Sequence, residues 1–212
     1  RRGVKHDSGA ASVALHHMEV FMWKGIDVSD NQGTINWAQI PENVDFAVLR
    51  SVRRSGKTDH QFAANLEGCR ERNIQVSVYK YTYATTPEAA RQEAQQVVAL
   101  LQSYGLAGTM IWWDVEDKDV LRPLGVTKLT ECIRAAQEVV EAAGYGFGLY
   151  VGLYVYKERW FDFDAFAGAR LWVARYYHGY HTMQFADEAD QNYKPSVNRW
   201  LTAWQYTSCG EI

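Results

Sequence analysis

The sequence lacks several features that would place the protein in a class at once. Its three cysteines, Cys69, Cys132 and Cys209, are too few and too scattered for a disulfide scaffold or a zinc site. No apolar run reaches the roughly 18 residues that a membrane-spanning helix needs. The formal net charge of −3 gives no general attraction to nucleic acid or to anionic lipid. We therefore expect a globular protein with no nucleic-acid partner and no membrane span.

Signatures of several enzyme classes are also missing. There is no HExxH or HxxxH pair, no GxSxG elbow and no phosphate-binding glycine loop. The glycines of residues 144–148 precede no helical pattern and are typical of a helix end and a turn. The histidines at 178 and 181 lie in a loop rich in glycine and tyrosine. We therefore expect neither a metal ion nor another cofactor.

Aromatic residues, in contrast, are abundant and make up 14% of the 212 residues. The length favours a single domain with a sizeable core. Aromatic side chains often fill cores, but 8 tryptophans and 13 tyrosines also suit a surface that stacks on sugar rings. Composition alone favours neither interpretation.

The first 21 residues differ from the rest of the chain. Residues 1–21 have no helical or strand period and no continuous apolar stretch, so they do not resemble a signal peptide. We expect them to be a dispensable N-terminal extension. Residues 22–212 are expected to form one domain, because no linker or internal repeat interrupts them.

Within this domain, short apolar runs alternate with helical patterns. Thr86 and Pro87 are typical of a helix start, and that helix is expected to end near residue 104. Two more helices are expected over 59–72 and from Thr127 to about residue 143. This order indicates a parallel α/β sheet, either open or closed into a barrel. We expect seven strands, with an eighth in 155–166 or at one end of the chain: 24–28, 45–51, 74–83, 109–115, 146–151, 171–176 and 201–206.

Asp114 and Glu116 carry the sharpest chemical signal. Alternate side chains of a strand share a face, so both carboxylates point the same way at the C-terminal end of a strand, where α/β folds place active sites. Burial and mutual repulsion raise at least one pKa in such a pair, and glycoside cleavage needs one protonated and one ionised carboxyl group. The alternative is a solvated acidic loop after the strand. Asp27, at the end of the first strand, is either a third acid on this rim or a turn residue.

Aromatic side chains occur toward the same strand ends. They form three sets, each on one face of a strand: Tyr79, Tyr81 and Tyr83; Trp172 and Tyr176; Trp204 and Tyr206. Each residue alone is most simply explained as part of the core. Together with the carboxylates they describe a cleft for a saccharide.

Five segments of the chain, taken together, carry a resemblance. In chain order they are GIDVS, QG and INW within residues 25–37, FAVLR at 46–50, DVE at 114–116, LWVARY at 171–176 and WQYT at 204–207. They resemble glycoside hydrolase family 25, the Chalaropsis-type lysozymes (N-acetylmuramidases) of bacteria and phages. The resemblance implies an irregular TIM-like β/α barrel with fewer than eight helices. It also implies hydrolysis of the β-1,4 bond between N-acetylmuramic acid and N-acetylglucosamine in peptidoglycan.

The resemblance further implies roles for single residues. Glu116 is the implied general acid, and Asp114 would stabilise the charged intermediate or orient the acetamido group of the substrate. Asp27 is the implied supporting carboxylate. The implied sugar-binding residues are Tyr79, Tyr81, Tyr150, Trp172, Tyr176, Trp204 and Gln205.

Two features depart from the family pattern. Lys80 stands where the family usually has a histidine, but it points away from the face of Tyr79, so we expect a small effect. The chain reaches Ile212 without the closing segment, with its further aspartate, that family members usually have. This predicts either a trimmed chain or a site that lacks one acid.

Two other functions stay open at this point: a catalytically impaired peptidoglycan-binding module and a chitinase-like hydrolase. For the muramidase we expect a monomer that acts in the cell wall or outside the cell, as a secreted bacterial enzyme or a phage endolysin. The adjacent Arg53 and Arg54 form a short basic patch, which is expected to be a solvated loop.

Overall fold

The structure, a computed structural model, describes residues 22–176 and 182–211. The extension predicted at residues 1–21 and the histidines at 178 and 181 lie outside the described residues. In the part of the chain that is described, nine strands form two sheets. In chain order the strands are β1 (Gly25–Val28), β2 (Phe46–Arg50), β3 (Gln75–Tyr81), β4 (Met110–Asp114), β5 (Gly146–Gly152), β6 (Arg170–Ala174), β7 (Met183–Gln184), β8 (Ala203–Gln205) and β9 (Gly210–Glu211).

The seven strands expected from the sequence form one parallel sheet in the order β1-β2-β3-β4-β5-β6-β8. Each pair of neighbours is parallel, so all seven C-terminal ends lie at one rim. The near-continuous apolar runs of the central strands agree with their burial, because β4, β5 and β6 are buried along most of their length. The short strands β7 and β9 pair with each other outside this sheet.

The sheet is curled into a half-barrel. Its edge strands, β1 and β8, are the first and the last of the seven, yet Gln205 on β8 donates a hydrogen bond of 2.9 Å to Asp27 on β1. Only a curled sheet brings opposite edges this close. The half-barrel and its four helices make an irregular α/β barrel, which confirms the fold that the family resemblance implied.

Four α-helices occur in the described residues: α1 (Phe62–Glu71), α2 (Pro87–Ser103), α3 (Gly125–Ala142) and α4 (Leu153–Glu158). The prediction for α2 is confirmed, because the Thr86 hydroxyl accepts a hydrogen bond from the amide of Ala89 and Pro87 is the first helical residue. The predicted start of α3 is wrong. That helix begins at Gly125, whose φ of +73° lets the chain turn from a short 3₁₀ segment, so Thr127 lies in the first turn and is not a cap.

The expectation of an eighth strand in 155–166 is also wrong. Most of this segment belongs to α4 and to a 3₁₀ turn at Phe163–Phe166. Its aromatic residues fill the core beside the sheet, where the rings of Phe161 and Phe163 stack with their centres 4.0 Å apart. A short aromatic run has the same composition whether it forms a buried strand or a buried helix.

The two faces of the sheet bury different clusters of side chains. On β4, Trp113 points outward and packs against Phe147 in the large core under the helices. Trp112, its neighbour, points inward to a smaller cluster with Tyr150 and Trp172. This alternation directs the side chains of Asp114 and its inward-facing neighbours into the hollow of the half-barrel.

Candidate active site

A cleft of about 2290 Å³ fills the hollow of the half-barrel. Its walls come from the inward-facing side chains of the sheet and from loops at its rims. All ten residues that the sequence analysis selected line this cleft: Asp27, Tyr79, Tyr81, Asp114, Glu116, Tyr150, Trp172, Tyr176, Trp204 and Gln205. The C-terminal strand ends therefore bring together residues that are up to 178 positions apart in the chain.

The two acids of β4 stand side by side at the rim. Asp114 is the last residue of β4 and lies between Tyr81 on β3 and Tyr150 on β5. The ladder continues past the strand end, because the amide of Val115 donates to the carbonyl of Tyr150 at 3.0 Å. The extended backbone therefore reaches Glu116, whose Cα lies about 6.5–7 Å from that of Asp114 by the usual rise of a strand. The solvated-loop alternative is wrong for these acids, since Asp114 is buried and Glu116 is half-buried.

Asp114 is a buried carboxyl group without a full set of partners. It is 4% exposed, and its Oδ1 atom has no hydrogen-bond partner among the described residues. Burial raises its pKa well above the usual value, and the neighbouring charges of Glu116 and Asp27 raise it further. The positive charge of Lys80 acts in the opposite direction. A buried carboxyl in this state is costly for folding, which is common at functional sites.

Glu116 is the more accessible member of the pair. Burial raises its pKa to about 7, with further contributions from the charges of Asp27 and Asp117. Its backbone carbonyl accepts a hydrogen bond of 2.9 Å from the hydroxyl of Tyr154, which holds the loop after β4. A carboxyl group with this pKa carries a proton over much of the neutral range.

Asp27 belongs to a hydrogen-bonded chain across the opening of the half-barrel. The Tyr150 hydroxyl donates to Gln205 Oε1 at 2.6 Å, and Gln205 Nε2 donates to Asp27 Oδ2 at 2.9 Å. Burial raises the pKa of Asp27 to about 6, and the hydrogen bond from Gln205 partly opposes the shift. These two hydrogen bonds fix the orientation of the Gln205 amide. Its oxygen must face the Tyr150 hydroxyl, which donates, and its nitrogen must face the Asp27 carboxylate, which accepts.

The selected aromatic residues divide into a floor and a rim. Tyr150 and Trp172 are each 7% exposed and pack edge to face, with ring centres 4.6 Å apart, so they form the floor. Tyr79, Tyr81, Tyr176 and Trp204 are half-buried and keep more of their surface in the cleft. The indole of Trp204 donates to the carbonyl of Arg175 at 2.7 Å, which fixes its orientation.

Sequence reasoning missed the supporting roles of Tyr154 and Ser29. Tyr154 holds the backbone of Glu116 from helix α4, in a segment where the sequence patterns predict no helix. Ser29, in the loop after β1, hydrogen-bonds to Tyr79. Tyr83 stacks near Tyr81, with ring centres 4.8 Å apart, and also lines the cleft. Tyr83 was not missed, because the alternation of the predicted strand 74–83 groups it with Tyr79 and Tyr81, but the family resemblance implies no role for it.

Lys80 lies on the outer face of β3, as its position beside Tyr79 predicted. It is 1% exposed, lies 3.5 Å from Glu93 on α2 and donates to the carbonyl of Tyr81 at 2.7 Å. Glu93 also accepts from the Thr82 hydroxyl at 2.6 Å and from the Tyr83 amide at 3.2 Å. The pair therefore holds the end of β3 from behind the cleft.

Within residues 22–176 and 182–211, no group of three His, Cys, Asp or Glu side chains could hold a metal ion. In the same residues, every helix is too short or too polar to cross a membrane.

Solved structures of similar proteins have the same architecture as this chain. The catalytic domain of endolysin ply40 from bacteriophage P40 of Listeria monocytogenes is 27% identical over 91% of this chain and 88% of that chain, with a TM-score of 0.68. The modular autolysin LytC of Streptococcus pneumoniae is 26% identical over 87% of this chain and 42% of that chain, with a TM-score of 0.67. A bacterial lysozyme from Streptomyces coelicolor, at 19% identity, shares the fold over 90% of this chain and 86% of that chain, with a TM-score of 0.68.

Among curated protein sequences, none matches this chain. The family model described as "Glycosyl hydrolases family 25" matches residues 26–212, which include β1, the DVE segment at the end of β4 and the rim residues of β8. With a match over most of its length, the chain belongs to glycosyl hydrolase family 25 and is a lysozyme-like glycosidase.

Proposed function

We propose that the chain hydrolyses the β-1,4 bond between N-acetylmuramic acid and N-acetylglucosamine in peptidoglycan, with Glu116 as the proton donor. The observation that carries the proposal is a carboxyl group with a pKa of about 7 that lines an open cleft and stands beside a second carboxyl group. The similar structures include an endolysin, and LytC has been solved in complex with a synthetic peptidoglycan ligand.

In the proposed reaction, protonated Glu116 donates its proton to the glycosidic oxygen while the bond from that oxygen to C1 breaks. The leaving sugar departs as a neutral alcohol, and positive charge develops at C1. Water then attacks C1 and returns a proton to the carboxylate of Glu116. Each cycle therefore consumes one water and restores the acid.

Asp114 and Asp27 support this step in different ways. Asp114 either stabilises the positive charge near C1 or holds the acetamido group of the substrate, and its unpartnered Oδ1 favours a contact with the bound sugar. Asp27 is the supporting carboxylate. Because the charge of Asp27 raises the pKa of Glu116, negative charge on Asp27 helps Glu116 keep its proton.

Aromatic side chains would place the sugar rings over these acids. Tyr81, Tyr83 and Trp204 keep surface in the cleft, while Tyr150 and Trp172 lie beneath them. Gln205 and Tyr79 provide further polar atoms along the cleft. We propose Tyr79, Tyr81, Tyr150, Trp172, Tyr176, Trp204 and Gln205 as the sugar-binding residues.

The substitution Glu116→Gln tests the proposal because it keeps the shape of the side chain and removes the proton. We expect the release of reducing ends from purified peptidoglycan to fall by about 10²–10⁴-fold. Asp119→Asn is the matched control, since Asp119 is an exposed acid on the same loop, and it should keep wild-type activity. Full activity of Glu116→Gln would refute the role of Glu116.

The same assay separates the alternative functions. Release of reducing ends from chitin but not from peptidoglycan would identify a chitinase-like hydrolase. Sedimentation with cell walls without release of reducing ends would identify a binding module. We propose that the enzyme meets its substrate in the cell wall, after secretion or after release by a phage, and that it works as a monomer.

A further inference from the structure

We propose that Arg54, on the loop between β2 and α1, binds a carboxylate of the peptide stem that N-acetylmuramic acid carries in peptidoglycan. The inference rests on the proposed function, because it assigns another part of the same substrate to the same cleft. The sequence pattern of Arg53 and Arg54 predicts a solvated loop. In the structure both line the cleft.

The loop that carries Arg54 is an ordered turn. The amide of Gly56 donates to the carbonyl of Arg53 at 3.0 Å, and the amide of Arg53 donates to the carbonyl of Lys57 at 2.9 Å. Gly56 has a φ of +78°, a conformation that glycine adopts without strain. Arg54 therefore occupies the first central position of a tight turn at the cleft wall.

Arg54 is also a charge without an acidic partner. Among the described residues, no carboxylate lies within ion-pair distance of its guanidinium, whereas Arg50 nearby pairs with Asp30 and Asp59. Arg53 is engaged within its own loop, since its Nε donates to the carbonyl of Thr58 at 3.1 Å. Arg54 thus keeps its hydrogen-bond donors available at the wall of the cleft.

Tyr83 holds the guanidinium in place. The Cζ atom of Arg54 lies 4.4 Å from the centre of the Tyr83 ring. Stacking on an aromatic face limits the rotamers of arginine and leaves the N–H groups at its edge directed outward. Such a fork matches the two oxygens of a carboxylate.

The position of Arg54 relative to the acids sets what can bind there. The ring centre of Tyr83 lies 4.8 Å from that of Tyr81, and Tyr81 pairs with Asp114 across the sheet. Two tyrosine rings therefore stand between Arg54 and the carboxylates. The acids repel an anion at the centre of the cleft, and Arg54 attracts one at its side.

The distribution of charge in peptidoglycan matches this distribution in the cleft. Its backbone sugars are uncharged, whereas the stem peptide branches from the lactyl group of N-acetylmuramic acid and carries free carboxylates. A glycan strand that crosses the acids would place a stem against one wall. Phosphodiesters attached to the wall polymer are the other anionic source that arginine could recognise.

The test compares wild type with Arg54→Gln on three soluble glycan preparations. The first keeps its stem peptides, the second has the stem carboxylates converted to amides, and the third has its stems removed by an amidase and the lactyl carboxylates that this exposes converted to amides. Lys128→Gln is the control, because Lys128 is exposed on α3 outside the cleft and the change in net charge is the same. Reducing ends are measured to obtain kcat and KM.

We expect Arg54→Gln to raise KM roughly fivefold on the glycan with intact stems while kcat stays unchanged, as for one partly exposed charge-assisted contact. The increase should disappear on the amidated and the stem-free glycans, and Lys128→Gln should behave as wild type throughout. Thermal unfolding of each variant controls for the fold.

Two results would overturn the inference while the proposed function stands: an unchanged KM for Arg54→Gln on intact stems, or the same increase on stem-free glycan. Hydrofluoric acid removes phosphodiesters from the glycan. If the difference in KM between wild type and Arg54→Gln vanishes only after this treatment, Arg54 binds phosphate and the proposed contact with a carboxylate is overturned. If wild type releases reducing ends from none of the preparations, the proposed function itself fails.

Discussion

Two buried ionisable side chains on opposite faces of the half-barrel sheet differ in their partners: Lys80 on the outer face has a charge of opposite sign beside it, whereas Asp114 on the inner face does not. On the outer face, Lys80 is 1% exposed and lies 3.5 Å from Glu93. On the inner face, Asp114 is 4% exposed, and its Oδ1 has no partner among the described residues. The two residues lie on neighbouring strands, so little more than the thickness of the sheet separates a paired ammonium group from a carboxyl group that lacks a full set of partners.

The outer network serves the fold. Burial lowers the pKa of Lys80, but the charge of Glu93 opposes this shift and favours the ammonium form. Glu93 in turn accepts hydrogen bonds from Thr82 and Tyr83, so these partners all belong to the end of β3 and the residues after it. A buried ion pair with these additional hydrogen bonds fixes the path of the backbone.

The inner acids have the opposite character. Burial raises the pKa values of Asp27, Asp114 and Glu116, and neighbouring negative charges add to the shift for Asp114 and Glu116. Each raised pKa lowers the stability of the fold at neutral pH, because the unfolded chain would release those protons. The comparison therefore teaches that this fold gives up stability on the face where the reaction is proposed to occur.

The largest effect should follow from breaking the outer pair. Lys80→Met leaves the carboxylate of Glu93 partly buried without its cation, and we expect the free energy of unfolding to fall by about 3–5 kcal/mol. Denaturant titration measures the change. The double variant Lys80→Met/Glu93→Gln is the control, since it also removes the stranded charge and should recover most of the loss. Equal stabilities of wild type and Lys80→Met would contradict the comparison.

A substitution on the inner face should change the free energy of unfolding in the opposite direction. Asp114→Asn removes a group whose pKa is raised in the folded state, so we expect the free energy of unfolding at pH 7 to increase by roughly 1–3 kcal/mol. Activity should fall in the same variant. Asp59→Asn is the matched control, because Asp59 is equally buried but accepts a hydrogen bond of 2.6 Å from Arg50. That variant should lose stability.

The pH dependence sharpens this prediction. Asp114 has a higher pKa in the folded state than in the unfolded chain, so it destabilises the fold only where the unfolded chain has lost the proton. The advantage of Asp114→Asn should therefore be largest at neutral pH and vanish below about pH 4, the pKa of an aspartate in the unfolded chain. An advantage that is independent of pH would show that packing, not charge, causes it.

The activity of the wild type should follow the protonation of Glu116. Glu116 must hold a proton to donate it, and its pKa is about 7. We expect kcat/KM to be high in mild acid and to fall about tenfold per pH unit above the pKa. Because the acids interact, the measured value belongs to the group of carboxyls. A flat profile between about pH 4 and pH 8 would contradict the role of Glu116, and the residual activity of Glu116→Gln should lack this decline.

Local sequence patterns were sufficient to predict most strands of the sheet and the position of the acids. Each main strand is a short apolar run between turn residues, and the period of two is enough to put Asp114 and Glu116 on one face. The strand ends then bring Asp27 to the same rim, because parallel strands share the direction of their C-terminal ends. These features depend only on neighbours in the sequence and on the parallel order of the strands.

Features that depend on long-range geometry were not predictable in this way. Helix α4 has the composition of a strand, and only its packing against the sheet decides its conformation. The depths of Trp172 and Trp204 also differ, although both lie on apolar strands, because β6 is interior in the sheet and β8 is at its edge. The contact of Gln205 with Asp27 depends on the curl of the whole sheet.

That contact is the basis of the smallest effect that we predict. Gln205→Leu removes the donor to Asp27, whose hydrogen bond lowers the pKa of that carboxyl, so the pKa should rise above about 6. The loss of one such bond corresponds to about 1 kcal/mol. Carbon-13 NMR titration of the Asp27 carboxyl would measure the shift, with Gln137→Leu on α3 as a control far from the cleft. An unchanged pKa would mean that Gln205 joins the edges of the half-barrel without tuning the acids, and it would place that residue with the structural network of the outer face.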